Sequence, residues 1–269
     1  MEKIKQALER AREAQQDTTG AGMPLAAAQP VTNPAEHQIT YSQTRVAKIK
    51  PAVLKKHRAL TGDSNDAALA AFRMLRTQVL QRLTANQWNA LAITSPGPGQ
   101  GKTLTAVNLA LSLAREVNYT VLLVDLDMRN PGVHKNFGLK PEYGISDYIL
   151  HDRPLSEILI NPDIERLVIL PGREPMPNSS ETLSSPKMVQ LVEELKTRYP
   201  TRLVLFDLPP LLSADDALAF SPYVDASLLV MEEGETTREE LEHAVGLLQG
   251  THLLGTVLNK SHEKITPYY

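Results

Sequence analysis

Residues 95–103, SPGPGQGKT, combine closely spaced glycines with a lysine and a threonine, which are residue types that bind phosphate groups. The glycines are Gly97, Gly99 and Gly101. Without side chains they let backbone amides approach a phosphate closely. Lys102 would reach the β- and γ-phosphates of a nucleotide, and Thr103 would ligate Mg²⁺. The usual motif begins with glycine where this chain has Pro96, a difference that changes the entry turn but keeps the phosphate cradle.

Aspartates end two apolar segments further along the chain. VLLVDLDMR carries Asp125 and Asp127, and LVLFDLPP carries Asp207. Such strand ends converge on one crevice in a parallel sheet, where a Mg²⁺·nucleotide site needs carboxylates. Asp207 suits a Walker B role around Mg²⁺, whereas Asp125 and Asp127 would either place a nucleophile or complete the metal shell. Arg129 follows closely and would stabilise charge or orient the loop.

The elements that must position these residues alternate between strands and helices from residue 88 onward. Six near-continuous apolar segments are typical of strands buried on both faces of a sheet: NALAITS, TVLLVDLD, RLVILPG, RLVLFDLPP, ASLLVMEE and LLGTVLN. Helices are predicted between them, at 103–116, 186–198 and 237–248. The alternation predicts a doubly wound α/β domain with a mainly parallel sheet, and the glycine-rich loop between a strand and a helix predicts P-loop NTPase architecture.

The first 62 residues differ in composition from the rest. We expect a short helix at 1–16, either solvated or docking a partner. Residues 17–62 are expected to form a flexible linker with a basic arm, and the flexible part is 17–44, which contains few large apolar residues. The arm, residues 45–58, holds six Lys or Arg residues and no acidic residue. It would either lie solvated on the domain or contact an anionic membrane surface.

The expected main domain spans 63–262 and is followed by a C-terminal tail at 263–269. It begins with a helix at roughly 64–85, in which apolar residues recur at helical spacing. These are Leu69, Phe72, Leu75, Val79 and Leu83.

The overall composition narrows the class of protein. The chain has 269 residues, a formal net charge of −3 and no cysteine, which excludes disulfides and cysteine-ligated metals. This charge balance is not that of a nucleic-acid-coating protein, and we expect no nucleic-acid partner. No apolar segment approaches the ~20 residues of a membrane span, and the charged N-terminus lacks a signal-peptide core. A cytoplasmic location is therefore expected.

The order of the motifs resembles that of one protein family. A Walker A loop followed by VLLVDLDMR and FDLPP resembles the bacterial tyrosine kinases of capsule and exopolysaccharide biosynthesis. These kinases share a broad class with the partitioning ATPases. RNPGVHKNFGL, GISDYIL, LPGREPMPNSSETLSSPKM and GTVLNK also resemble family blocks in the same order, so the likeness covers about 64–260. Gly97 stands where partitioning ATPases usually carry a signature lysine, which favours the kinase branch.

This resemblance implies an ATP-dependent protein-tyrosine autokinase that uses Mg²⁺. By the same likeness, the catalytic residues would be Lys102, Asp125, Asp127 and Arg129, and the metal residues Thr103, Asp127 and Asp207. Asp125 is the favoured base for the tyrosine hydroxyl, whose unperturbed pKa is ~10. The expected nucleotide contacts are Gly97, Pro98, Gly99, Gln100, Gly101, Lys102, Thr103, Leu104 and, at the adenine, Asn259.

The implied partner is a membrane polysaccharide co-polymerase that activates the kinase at the inner face of the cell membrane. FRMLRTQV resembles the helix that the family uses for oligomer contacts, so a homo-oligomer is expected. Ala70 replaces the usual glutamate there, while Arg73 and Arg76 match, and a closed ring is therefore not assumed.

The chain ends KITPYY, with two tyrosines where the family usually has a dense tyrosine cluster. The resemblance makes Tyr268 and Tyr269 the expected phosphoacceptors, and the alternative is that they belong to an ordinary tail. The alternative function is a non-kinase regulatory P-loop ATPase that uses the nucleotide as a switch on a membrane or partner assembly.

Overall fold

The computed structural model describes residues 44–61, 67–176 and 178–262. The predicted helix at 1–16, most of the linker and the two tail tyrosines lie outside these residues. Within the described ranges, no helix combines the length and the apolar character needed to cross a membrane.

An eight-stranded sheet forms the centre of the described part of the chain. Its strands are β1 (Arg45–Val46), β2 (Ala90–Thr94), β3 (Thr120–Asp125), β4 (Ile160–Asn161), β5 (Leu167–Leu170), β6 (Arg202–Asp207), β7 (Ala226–Glu232) and β8 (Leu253–Asn259). Their spatial order is β1-β4-β5-β3-β6-β2-β7-β8. Neighbouring strands run parallel except at the β4–β5 pair. The mainly parallel sheet predicted from the apolar segments is confirmed.

Helices cover both faces of this sheet. They are α1 (Pro51–Lys56), α2 (Ala67–Asn86), α3 (Lys102–Leu113), α4 (Val133–Asn136), α5 (Ile145–His151), α6 (Leu155–Ile158), α7 (Ser179–Leu183), α8 (Pro186–Thr197), α9 (Asp216–Phe220) and α10 (Arg238–Leu247). Alternate residues of β2 enter two separate apolar cores: Leu91 and Ile93 pack on one face, and Ala90 and Ala92 on the other. Burial on both faces explains why the strands read as continuous apolar segments.

Helix α2 has the burial pattern that its sequence predicts. Leu69, Val79 and Leu83 are buried, and Phe72 and Leu75 are partly buried against the core that contains α3. Helix α3 itself ends at Leu113 rather than at 116, because the chain turns there with the amide of Glu116 bonded to the Leu113 carbonyl at 2.9 Å.

The basic arm forms two elements, β1 and α1, that pack on the domain. Leu54 and Ala59 are buried in the same core as α2. The Asn108 side chain in α3 accepts from the Leu60 amide at 2.8 Å and donates to the Arg58 carbonyl at 3.1 Å. These contacts place the described arm residues in the folded unit instead of in a flexible linker.

Candidate phosphoryl-transfer site

The glycine-rich loop connects β2 to α3 in a conformation that needs glycine at two positions. Gly99 has φ 78° and Gly101 has φ 91°, both in the left-handed region that side chains disfavour. Gly101 precedes the first residue of α3, and its carbonyl accepts from the Thr105 amide at 2.9 Å. The loop therefore lies at the positive end of a twelve-residue helix, a position that favours a phosphate.

Side chains within the loop fix its shape from inside. The Ser95 hydroxyl donates to the Gly97 carbonyl at 2.7 Å, and the Gly97 amide donates to Gln100 Oε1 at 3.1 Å. Gln100 is buried, whereas Pro98 and Gly99 are exposed. Leu104, in the first turn of α3, is partly buried. The loop is thus preformed, with an exposed tip and an anchored base.

The end of β8 holds the loop from outside. Asn259 Nδ2 donates to the Gln100 carbonyl at 2.9 Å, and Lys260 Nζ donates to the Gly99 carbonyl at 3.0 Å. Lys260 also pairs with Glu232 Oε2 at 2.7 Å. Asn259 was expected at the nucleotide from the resemblance, whereas Lys260 was not singled out although it follows directly in the sequence. A cleft of about 310 Å³ opens here, lined by Gly97–Gln100, Glu232, Glu235, Glu240 and Lys260.

Lys102 is drawn towards the carboxylates and not towards solvent. Its Nζ lies 2.6 Å from Asp127 Oδ2 and 3.2 Å from Thr103 Oγ1. Burial by itself lowers the pKa of Lys102, but the carboxylates of Asp207, Asp127 and Asp125 outweigh burial and raise it above its ordinary value. Lys102 therefore stays charged and joins the loop to the strand ends.

Asp125 is fully buried at the end of β3, where Oδ2 accepts the amides of Gly132 and Val133 at 3.0 and 2.9 Å. Its Oδ1 receives no hydrogen bond from the described residues. Burial, followed by repulsion from Asp207, raises the pKa of Asp125 to about 8, although the Val133 amide and Lys102 act to lower it. Asp125 is thus a weaker acid than an ordinary aspartate, and one of its oxygens has no hydrogen-bond donor among the described residues.

Asp207 lies directly beside Asp125 in the sheet, because β3 and β6 pair in that register. It is fully buried, and neither of its carboxylate oxygens receives a hydrogen bond within the described ranges. Burial raises the pKa of Asp207 to about 6 against the effects of Lys102 and the neighbouring Thr103 hydroxyl, which lower it. The register of the strands therefore forces two carboxylates together.

These oxygens suit Mg²⁺. The buried oxygens of Asp207 accept no hydrogen bond from the described residues and lie near the Thr103 hydroxyl, and carboxylate and hydroxyl oxygens are hard ligands of the kind this cation prefers. A buried acceptor without a donor is costly unless a ligand or a proton satisfies it. The donor types thus fit the cation expected from the motifs, for which Thr103, Asp127 and Asp207 stay the predicted residues.

Within the described part of the chain, Arg129 contacts helices α7 and α9 and not the phosphate loop or the strand-end carboxylates. Its Nε lies 2.9 Å from Asp216 Oδ2 and 3.1 Å from Ser179 Oγ, at the starts of α9 and α7. Asp216 is fully buried and was not singled out in the sequence. The pair of adjacent acids in SADDALAF, following FDLPP, was the available signal, but sequence alone does not tell which acid is buried.

Comparison with known proteins gives a family match. A family model described as an AAA domain matches residues 89–235. The chain is 33% identical to tyrosine-protein kinase YwqD of Bacillus subtilis (strain 168) over 190 residues, which cover 70% of this chain and 79% of that protein. It is 28% identical to tyrosine-protein kinase CpsD of Streptococcus agalactiae over 200 residues, which cover 73% and 85%.

Solved structures give the same picture. The kinase domain of Escherichia coli tyrosine kinase ETK matches with a TM-score of 0.69 and 28% identity, covering 84% of this chain and 91% of that chain. The chimerical protein CapA2B2 matches with a TM-score of 0.70 and 29% identity over 81% and 94%. The septum site-determining protein MinD of Pyrococcus horikoshii, at 23% identity and a TM-score of 0.53, shares the fold.

Gly101→Ala is expected to weaken ATP binding more than the matched change Gly99→Ala. Both substitutions strain a left-handed backbone, at about 1 kcal/mol each. A Cβ at Gly101 would also overlap the Asn259 amide, whereas one at Gly99 would meet no described atom within 4 Å. Titration with a fluorescent ATP analogue should give about a fivefold loss for Gly99→Ala and at least tenfold for Gly101→Ala. Equal losses would show that Asn259 is not pressed against the loop.

The free energy of unfolding without nucleotide and Mg²⁺ is expected to fall as the pH rises from about 4 to 8. Asp207 and Asp125, with pKa values of about 6 and about 8, bind protons more tightly when folded than unfolded, where aspartate has a pKa of ~3.9. Their stabilising contribution is complete below the unfolded pKa and is lost through the folded ones, by up to about 1.4 kcal/mol per pH unit and proton.

Urea unfolding of the wild type and Asp207→Asn across this range checks the expectation. The variant should have a flatter profile, because it lacks one titrating group and because Asp207 also raises the pKa of Asp125. Asp152→Asn is the control, since that carboxylate is exposed and its pKa is lowered by Lys187. A wild-type profile that rises towards pH 8 would contradict the burial argument.

Proposed function

This chain belongs to the bacterial tyrosine-protein kinases, within the AAA domain family, and we propose that it phosphorylates its own C-terminal tyrosines to regulate exopolysaccharide or capsule polymerisation and export. It is an ATP-dependent protein-tyrosine kinase. The observation that best supports the proposed assignment of residues is the Lys102–Asp127 ion pair at 2.6 Å, beside the two buried carboxylates at the paired strand ends.

In the proposed reaction, the loop amides and Lys102 hold the phosphates of ATP and orient the γ-phosphoryl group. Mg²⁺, when bound, would neutralise phosphate charge, and Thr103, Asp127 and Asp207 are the residues proposed to hold it. Lys102 keeps its positive charge and offsets the charge of the transferring group. Asn259, bonded to the Gln100 carbonyl of the loop, is proposed to contact the adenine.

Asp125 is the proposed base for the tyrosine hydroxyl. A general base is most effective when its pKa lies near the working pH, and burial moves the pKa of Asp125 to about 8. Its Oδ1 receives no hydrogen bond from the described residues and is available for a proton, whereas Asp127 is engaged by Lys102 and by the Asn130 amide at 3.0 Å. The contrast between the two environments supports Asp125.

Incubation with labelled ATP and Mg²⁺ should place phosphate on Tyr268 or Tyr269. Lys102→Met should reduce the label by about 10² to 10³, because it removes a preorganised charge at the phosphates. Tyr268→Phe/Tyr269→Phe should remove the label while ATP binding is retained, and Tyr199→Phe, a change at an exposed residue on the surface, is the control.

The reaction is run with and without the proposed membrane co-polymerase partner, which is expected to raise the yield of phosphotyrosine. ATP hydrolysis without phosphotyrosine under both conditions would instead favour the regulatory ATPase. Label that persists in the double phenylalanine variant would place the acceptor elsewhere in the chain.

The basic arm is proposed to contact an anionic membrane surface. Its basic side chains are all exposed and have no ion-pair partner among the described residues: Arg45, Lys48, Lys50, Lys55, Lys56 and Arg58. Because Leu54 anchors α1 in the core, these charges are carried on a folded segment. Clustered Lys and Arg each contribute about 1 kcal/mol near such a surface, which supports a position at the inner face of the membrane.

Lys55→Ala/Lys56→Ala should weaken binding to vesicles containing phosphatidylserine by about 30-fold, since two contributions of about 1 kcal/mol are lost. Arg198→Ala/Arg238→Ala removes the same charge from two exposed i,i+4 pairs elsewhere and should leave binding unchanged. Cosedimentation measures both, and added salt should reduce wild-type binding. Equal losses in the two double variants, or equal binding to neutral vesicles, would contradict the proposal.

A further inference from the structure

Two adjacent aspartates at the start of α9 lie in opposite environments. The side chain of Asp215 is 74% exposed, whereas that of Asp216 is 0% exposed. Asp215 accepts a hydrogen bond from the Ser180 hydroxyl at 2.8 Å, as a surface residue often does. Asp216 instead places a carboxylate in the interior, where a charge needs a partner.

Arg129 is that partner. Its Nε lies 2.9 Å from Asp216 Oδ2, and it is the only cation within salt-bridge distance of this carboxylate in the described part of the chain. Asp216 Oδ1 is buried and accepts no hydrogen bond there. Well-packed apolar residues often replace a buried ion pair without loss of stability, so stability alone is weak grounds for its presence.

The two members of the pair are not equally buried. Arg129 is 49% exposed while its carboxylate partner is fully enclosed, and the contact uses Nε. An arginine held through Nε keeps its two terminal NH₂ groups for other anions. One of them lies 3.9 Å from the exposed Asp215. The pair therefore fixes the direction of a cation that is still accessible.

Arg129 belongs to the turn that carries Asp127. The Asn130 amide bonds to both the carbonyl and the Oδ1 of Asp127, at 3.1 and 3.0 Å. The Met176 amide donates to the Met128 carbonyl at 2.8 Å. Asp127 contacts Lys102 on the phosphate side, and Arg129, two residues later, contacts α7 and α9. One short turn is thus bonded both to the phosphate-binding lysine and to helices α7 and α9.

We propose that Asp216 is a positioning residue for phosphoryl transfer, which holds Arg129 and the Asp127 turn in place through the Arg129–Asp216 ion pair. This inference rests on the kinase activity and on the catalytic role that the resemblance implies for Arg129, which is to stabilise charge or orient the loop. Asp216 itself touches neither nucleotide nor tyrosine; its effect passes through the guanidinium.

A double-mutant cycle on full-length protein tests the proposal. ATP turnover with Mg²⁺ is measured for the wild type, Asp216→Asn, Arg129→Met and the double variant. Each single change should lower kcat by about tenfold to a hundredfold, the range for lost orientation of a reacting group. The double variant should be no slower than Arg129→Met alone, and KM for ATP should change less than twofold, because the loop is untouched.

Asp215→Asn is the matched control and should leave kcat within twofold of the wild type. Multiplying effects in the double variant would overturn the proposal, because Asp216 would then act independently of Arg129. Equal losses in Asp215→Asn and Asp216→Asn would also overturn it, since the buried pair would have no special role.

The double variant Arg129→Met/Asp216→Leu, in which apolar residues replace both charges, distinguishes a role in stability from a role in positioning. This variant should keep the thermal midpoint near the wild type while kcat stays low. Recovery of kcat together with stability would overturn the proposal. Should Asp216→Asn not fold, Arg129→Lys gives a further reading, because it keeps the charge but lacks Nε. It is expected to lose as much kcat as Arg129→Met, and wild-type kcat would count against the inference.

The outcome does not depend on the identity of the phosphoacceptor. If the tail tyrosines remain unlabelled, the autokinase proposal fails, while the cycle on ATP turnover still tests the pair. If the tail is labelled and the cycle is additive, only the positioning role of Asp216 fails.

Discussion

One buried ammonium faces three buried carboxylates at the centre of this domain, and the rest of the site depends on that imbalance. Lys102 is bonded to Asp127, while Asp125 and Asp207 lie side by side on paired strands. Their raised pKa values, about 8 and about 6, follow first from burial, to which Asp207 adds repulsion at Asp125 and Asp127 adds repulsion at Asp207. A site that lacks positive charge in this way is suited to a cation, because the cation would supply a partner for carboxylate oxygens that have none among the described residues.

The glycine loop has the opposite character, since it is satisfied before any ligand binds. Gln100 closes it from within, and Asn259 and Lys260 bond to its carbonyls from β8. The contacts from β8 use loop carbonyls, which leaves loop amides other than that of Gly97 for phosphate oxygens. Preorganisation of this kind avoids reorganisation during transfer, which is where fixed dipoles contribute most to rate. The site therefore combines a loop whose hydrogen bonds are already formed with carboxylates that still lack partners.

Much of this could be predicted from the sequence, because the strands are buried on both faces and their apolar segments are continuous. The loop and Asp125, Asp127 and Asp207 follow from motif order, and their convergence follows from the parallel sheet. The two-residue strands β1 and β4 carry too little pattern to predict, and the packing of the arm depends on Leu54 meeting the core. Nothing local separates Asp215 from Asp216, since burial is decided by the contact of α9 with a distant turn.

That turn explains why residues so close in sequence belong to different parts of the mechanism. Asp127 and Arg129 carry opposite charges two positions apart, and each finds its counter-ion on a different layer. Exchange of those partners would leave Lys102 beside a cation and Asp216 beside another acid, so the two ion pairs specify one orientation of the turn. Specificity is the better attested use of buried ion pairs, whose net stabilisation is small. In this kinase the two ion pairs orient the turn that carries Asp127 and Arg129. This turn lies between the phosphate loop on one side and helices α7 and α9 on the other.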